Sequence, residues 1–213
     1  DDNDDRDDED EHRVLAVAAL VRPDSHADSE SEPGVYHILV CDSRGTATLL
    51  TFSYSQDSSS RSVHVCARTV LLVSDFPLCC CAMMFVGSES ESKGKNERVM
   101  LVMGDTTGHV SIITLTVVVT RAAGRTKPAL VHVTHVAPRA RMRYEAHKMG
   151  VNCLDACYIA TQHQVFIASG GDDEALSVNT LSCAGMCAHK NGEGASAEWH
   201  NHGNVCTTKV GGA

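Results

Sequence analysis

The chain has 213 residues, enough for one ordinary domain or for several units of a repeat protein. It is 43% hydrophobic but only 4% aromatic, so its core must be built from aliphatic side chains, Met and Cys, and few rings are left to stack on bases. The net charge of −9 is concentrated: residues 1–11 carry −8, the remaining 202 residues are at −1, and the acidity says little about a partner for the folded part.

Residues 1–12 read as an acidic, solvated tail or loop. Val14 to Val21 is the first short apolar run, expected to be a fully buried strand. A Ser/Glu/Asp-rich stretch from Pro23 to Gly34 reads as a loop. Next comes LVCDSRGTATLLTF from Leu39: an apolar run, a polar Gly/Asp turn, then alternating apolar and polar residues. That pattern predicts two strands joined by a tight hairpin. A loop over Gln56 to Arg61 and a fourth run, Val63 to Val73, complete the unit.

The same order repeats. Leu78 to Val86 is a buried run, Ser88 to Asn96 a loop, VMGDTTGHVSIITL from Val102 a hairpin, Arg121 to Pro128 a loop and Ala129 to Val136 a fourth run. A third passage begins with Val151 to Ile159 and continues with the hairpin ASGGDDEALSVNTL from Ala168. It closes in a Gly/His/Cys-rich loop, Ala184 to Gly203. The three hairpin phrases align without a gap, placing Asp42, Asp105 and Gly171 in one column and Thr51, Thr114 and Thr180 in another. Four strands per unit is the count of a propeller blade, and no segment shows a sustained helical period. The fold expected is all-β: a partial β-propeller of about three four-stranded blades with long inter-strand insertions. Its divisions fall at 13–76, 77–143 and 144–213. Because position 1 is Asp and not Met, a fragment of something longer is expected.

The third unit carries a family resemblance. Ala146-His147, Gly150-Val151-Asn152-Cys153-Leu154, Ala168-Ser169-Gly170-Gly171-Asp172-Asp173 and Leu176-Ser177-Val178 follow one another in the order of a WD repeat. In that family a His, a Ser and an Asp form a hydrogen-bonded network that pins the blade, and the resemblance assigns those parts to His147, Ser169 and Asp173. The Trp-Asp pair that names the family is replaced by Asn179-Thr180, and by Ile113-Thr114 and Leu50-Thr51 in the earlier units, which also lack the His. The phrases VCDSRGTATLLTF, HKMGVNCLDACY and ASGGDDEALSV are similar to the WD repeat-containing protein 6 family. That resemblance implies a non-catalytic scaffold that binds a tRNA 2′-O-methyltransferase and helps position tRNA for ribose methylation of the wobble nucleotide. The alternative is a general protein–protein interaction scaffold of a cytosolic complex with no nucleic-acid role.

Three constellations bear on chemistry. Ser, His and Asp are the residue types of a hydrolytic triad, but no Gly-x-Ser-x-Gly elbow surrounds Ser169. Residues 121–148 hold seven Arg or Lys against the single acid Glu145. Arg139, Arg141 and Arg143 alternate, so an extended backbone would put them on one face, a candidate tRNA phosphate-binding surface, with Tyr144 beside them to stack on a base. Cys183, Cys187, His189, His200, His202 and Cys206 cluster near the end without a Cys-x-x-Cys pair, so no metal site is assigned. Cys153 and Cys157, with Asp155 between them, are expected to point inward on a strand, and Cys79 to Cys81 to be buried thiols. No phosphate loop or dinucleotide fingerprint occurs, so no cofactor and no enzymatic role are expected. There is no signal-peptide pattern and no apolar run of bilayer length. With so many cysteines in apolar runs, a reducing, cytoplasmic location fits best, with no membrane partner.

Overall fold

Runs rich in Val, Ile, Leu and Thr favour extended backbone, and the Asp/Gly punctuation between them favours tight reversals. The computed structural model describes residues 12–21, 34–56, 61–91, 94–121 and 131–183. Among them are eleven strands and no helix. Strands β1 (Val14–Val21), β2 (Gly34–Asp42), β3 (Thr46–Gln56) and β4 (Arg61–Leu72) form a first antiparallel sheet in sequence order. A second sheet of the same design contains β5 (Leu78–Glu91), β6 (Gly94–Asp105), β7 (His109–Arg121) and β8 (Val131–Glu145). The third has three described strands, β9 (Val151–Ile159), β10 (Gln164–Gly171) and β11 (Leu176–Ser182).

The central hairpins of the first two sheets are each built by an Asp. Asp42 Oδ1 accepts the N–H groups of Arg44 and Thr46, both at 2.9 Å. Asp105 Oδ1 accepts those of Thr107 at 2.9 Å and His109 at 3.1 Å. Such side-chain capping fixes the turn, and the turn fixes the register. Gly45 and Gly108 follow with φ of +74° and +89°. The Gly108 carbonyl accepts the N–H groups of Ala146 and His147, both at 3.0 Å, just as the Gly45 carbonyl accepts those of Val73 and Ser74. Each turn therefore holds the connector that leads into the next sheet. A Cβ on Gly108 would lie 2.1 Å from the His147 carbonyl oxygen, so the close approach and the positive φ both require glycine.

The sheets stack face to face. The first strands β1, β5 and β9 pack in succession, and β4 packs on β8 at the opposite edge. Between the first and second sheets lies one apolar cluster, with Leu39, Leu49, Leu101, Ile113 and Leu115 almost fully enclosed. Between the second and third lies another, with Met100, Val102, Ile112, Val165 and Ile167. Strand parity explains both: in the second sheet Leu101 and Met103 face one neighbour while Met100 and Val102 face the other.

Several expectations are corrected. Residues 88–96, read as a loop, lie largely within β5 and β6, which run on to Glu91 and restart at Gly94. The fourth run of the second unit does not stop at Val136 but continues to Glu145, because a bulge near Ala137 to Arg139 restores pairing from Ala140 onward. β1 is not fully buried: Val14 and Val17 are exposed, since its outer side has no sheet over it. Cys153 and Cys157 are exposed, because Leu154, Ala156 and Tyr158 take the parity that meets the second sheet. Cys80 is buried, whereas Cys79 and Cys81 are half-buried. His12, placed in the tail by sequence, lies with its Nε2 2.7 Å from Asp42 Oδ2. Residues 1–11, 22–33, 57–60, 92–93, 122–130 and 184–213 fall outside the described residues, and with them most of the acidic tail, the expected loop between Gln56 and Arg61, and all of the terminal Cys/His cluster except Cys183.

Candidate functional site

The polar residues singled out by sequence converge on the seams between sheets. His147 sits in the connector before β9, where the Gly108 carbonyl fixes its backbone. Ser169 projects from β10 and Asp173 from the following turn. His147 Nδ1 is 2.9 Å from Asp173 Oδ1, and its Nε2 is 2.9 Å from Ser169 Oγ. A carboxylate can only accept, so in the neutral ring Nδ1–H donates to Asp173 and Nε2 accepts the Ser169 hydroxyl. Asp173 also accepts the N–H groups of Lys148 and Ala175. The backbone bond from Lys148, followed by those from His147 and Ala175, holds the Asp173 carboxyl below the usual carboxylate range against its own desolvation. His147 and Ser169 are 2% and 1% exposed, so the hydroxyl faces the protein interior and not solvent.

The second sheet carries an equivalent clasp that the sequence alone did not single out. Ser74 occupies the place of His147, four residues before its sheet begins, and donates to Asp105 Oδ2 at 2.9 Å. Arg143 Nη2 reaches the same oxygen at 2.8 Å. Burial alone would push the Asp105 carboxyl up, but hydrogen bonds from Thr107, His109 and Ser74 outweigh it and hold the group below its ordinary value. The repeated Asp column was a usable signal. That Arg143 would supply the cation was not, since β8 had been expected to end before it.

Arg141 and Arg143 do share a face of β8, as their alternation predicts, but their guanidinium groups turn toward the first sheet. Arg141 Nη2 donates to the Leu72 carbonyl at 2.9 Å and to that of Val73. Arg139 lies in the bulged part of β8. Tyr144 packs into the second apolar cluster with its hydroxyl enclosed, so its ring is not a stacking surface, and burial pushes its phenol up to about 12.

A third polar seam joins the first two sheets. Thr51 Oγ1 lies 2.8 Å from His37 Nδ1 and 2.7 Å from His135 Nε2, and His135 Nδ1 lies 2.8 Å from Thr69 Oγ1. Burial lowers the pKa of His135. His135 belongs to β8, and both threonines belong to the first sheet. Among the described residues no group of three or more His, Cys, Asp or Glu side chains is placed to hold a metal ion.

What fold and seams define together is a class, an all-β protein of stacked antiparallel sheets whose buried polar side chains pin the connectors between sheets and tie the first sheet to the second. No protein-family model matches the chain, and no curated protein matches it in sequence.

Proposed function

We propose that the chain is a run of consecutive β-propeller blades acting as a non-catalytic scaffold that binds protein partners on its rims and loops. The observation that carries this reading is where the polar chemistry goes: it pins the connectors between sheets and ties the first sheet to the second. Ser169 is enclosed, so no acyl substrate reaches it, although its partners have the residue types of a hydrolytic triad. The succession of β1, β5 and β9 along one edge and the packing of β4 on β8 along the other support the propeller reading. A reducing, cytoplasmic setting belongs to this reading on the ground that many of the cysteines lie in apolar runs of the sequence. Among the described residues no helix is long and apolar enough to cross a membrane.

The narrower reading, docking of a tRNA 2′-O-methyltransferase and positioning of tRNA, rests on the family resemblance. Of its expected cations Arg139, Arg141 and Arg143, the last two already donate to Leu72, Val73 and Asp105, which is the support for placing protein partners ahead of RNA. Affinity capture on the intact chain after nuclease treatment tests the choice. Partners that survive nuclease and include no RNA-modifying enzyme support the scaffold reading. Capture of a methyltransferase, with tRNA affinity that falls steeply as salt rises, would return the tRNA reading.

A further inference from the structure

Two cysteines meet where the first sheet packs on the second. Cys41, near the end of β2, is fully enclosed, and within its own sheet it is paired with Ala16 and Ala47, small side chains that do not screen its thiol from the facing sheet. On the facing strand, parity sends Cys81, Met83 and Phe85 toward the first sheet and Cys80, Met84 and Val86 toward the third. The rings of His37 and Phe85 meet edge to face, 5.8 Å between centroids. From that contact, four residues on along β2 lead to Cys41 and four back along β5 lead to Cys81, and these two thiols are hydrogen-bonded to each other. The two contacts together show the strands crossing the interface in opposite senses, with the sulfur atoms face to face.

The two thiols differ in their surroundings. Both are free, but Cys81 is only half-buried whereas Cys41 is sealed in the apolar cluster. The hydrogen bond from Cys41 holds the Cys81 thiol below its ordinary value in spite of burial, and the same bond, followed by burial, pushes the Cys41 thiol up. Cys81 therefore carries the thiolate and Cys41 the S–H that donates to it. A thiolate within reach of solvent, with a second thiol against it, is the arrangement that peroxides oxidise and a neighbouring sulfur then resolves.

We propose that Cys81 is an oxidation site for hydrogen peroxide, and that Cys41 resolves it by closing a disulfide that ties the first sheet to the second. In the first step the Cys81 thiolate attacks a peroxide oxygen: an S–O bond forms, the O–O bond breaks, and hydroxide leaves and takes up a proton as water. Cys81 becomes a sulfenic acid, oxidised by the two electrons that reduce the peroxide. In the second step the Cys41 sulfur attacks the Cys81 sulfur, the S–S bond forms, the S–O bond breaks, and the departing hydroxide takes the Cys41 proton as a second water. A thiol reductant reverses the link. The pair lies within a contact between two sheets of this chain, so it stands apart from the scaffold reading and from the identity of any partner.

The test treats the reduced, folded full chain with a hydrogen peroxide series at low protein concentration, alkylates the remaining thiols, and maps the unreduced digest by tandem mass spectrometry. The expected product is one peptide pair joined through Cys41 and Cys81, lighter by two hydrogens than its parts and separated again by dithiothreitol, formed at doses that leave the buried neighbour Cys80 reduced. Cys41→Ala should accumulate Cys81 sulfenic acid that dimedone traps, and Cys81→Ala should leave Cys41 reduced and open to alkylation only on unfolding. Circular dichroism confirms that each variant folds, and the wild-type map decides by itself if one does not. The proposal is overturned if Cys41 stays reduced while the exposed Cys153 and Cys157 are oxidised, or if Cys41 links to any other cysteine. Oxidation of Cys41 in folded Cys81→Ala, or absence of dimedone from Cys81 in folded Cys41→Ala, overturns it equally.

Discussion

At the scale of single residues, the His147 network decides between architecture and chemistry. Ser169→Ala leaves His147 Nε2 enclosed without its partner, and should lower unfolding stability by roughly 1 to 3 kcal/mol in a denaturant titration. A fluorophosphonate probe, which labels activated serines, should leave wild-type Ser169 unmodified, because the hydroxyl is enclosed. Labelling would reject the structural role. Asp105 gives a pH signature. Its carboxyl titrates below the ordinary value in the folded state, so its stabilisation is fully present above the unfolded pKa of about 3.9 and is lost as pH falls toward the folded one. Thermal melts of Asp105→Asn should therefore start lower near neutrality and decline less between about pH 4 and pH 2 than those of wild type.

At the scale of elements, the hairpin column Gly45, Gly108 and Glu174 makes a sharper claim. All three adopt positive φ, and Glu174 does so at +58° with a side chain that disfavours it. Glu174→Gly should raise stability by about 1 kcal/mol, since the left-handed conformation costs an ordinary residue roughly 1 to 2 kcal/mol. Gly108→Ala should lower stability by about 2 kcal/mol or more, because the added Cβ meets the backbone oxygens of the connector it clasps. Opposite signs at equivalent positions, read from urea midpoints, would show that the turn geometry controls the outcome.

At the scale of the whole molecule, sheets are joined by polar seams as well as apolar cores. His135 titrates low because burial disfavours its charged form, so protonation favours the unfolded chain, and stability falls as pH drops through the unfolded value of about 6.5 toward the folded one. His135→Gln should narrow the fall in melting temperature between about pH 7 and pH 5 relative to wild type. An unchanged difference would mean that the His37, Thr51, His135 and Thr69 chain does not govern how firmly the first two sheets hold together.

Strand identity was legible in the sequence. Alternation and Asp/Gly turns are local, and so Val14–Val21, Val151–Ile159 and all three hairpins fall where the pattern puts them. The proximity of His147, Ser169 and Asp173 was legible as well, because the resemblance supplied an order that the chain keeps. Local pattern does not say which side of a strand meets the next sheet. A run apolar on both faces reads alike whether one face or both are covered, which is why β1, Cys153 and Cys157 proved more exposed than expected. Nor does charge along the chain reveal where a long side chain ends. Arg141 and Arg143 reach acceptors some seventy positions away, Arg141 at Leu72 and Val73 and Arg143 at Ser74, contacts that exist only once two sheets have stacked. The sequence alone determined the order of the strands, the hairpin turns and the repeat, though not how far β5, β6 and β8 extend. Tertiary structure alone decided which faces are covered and which charges are spent, because burial and pairing depend on neighbours that the chain brings together from afar.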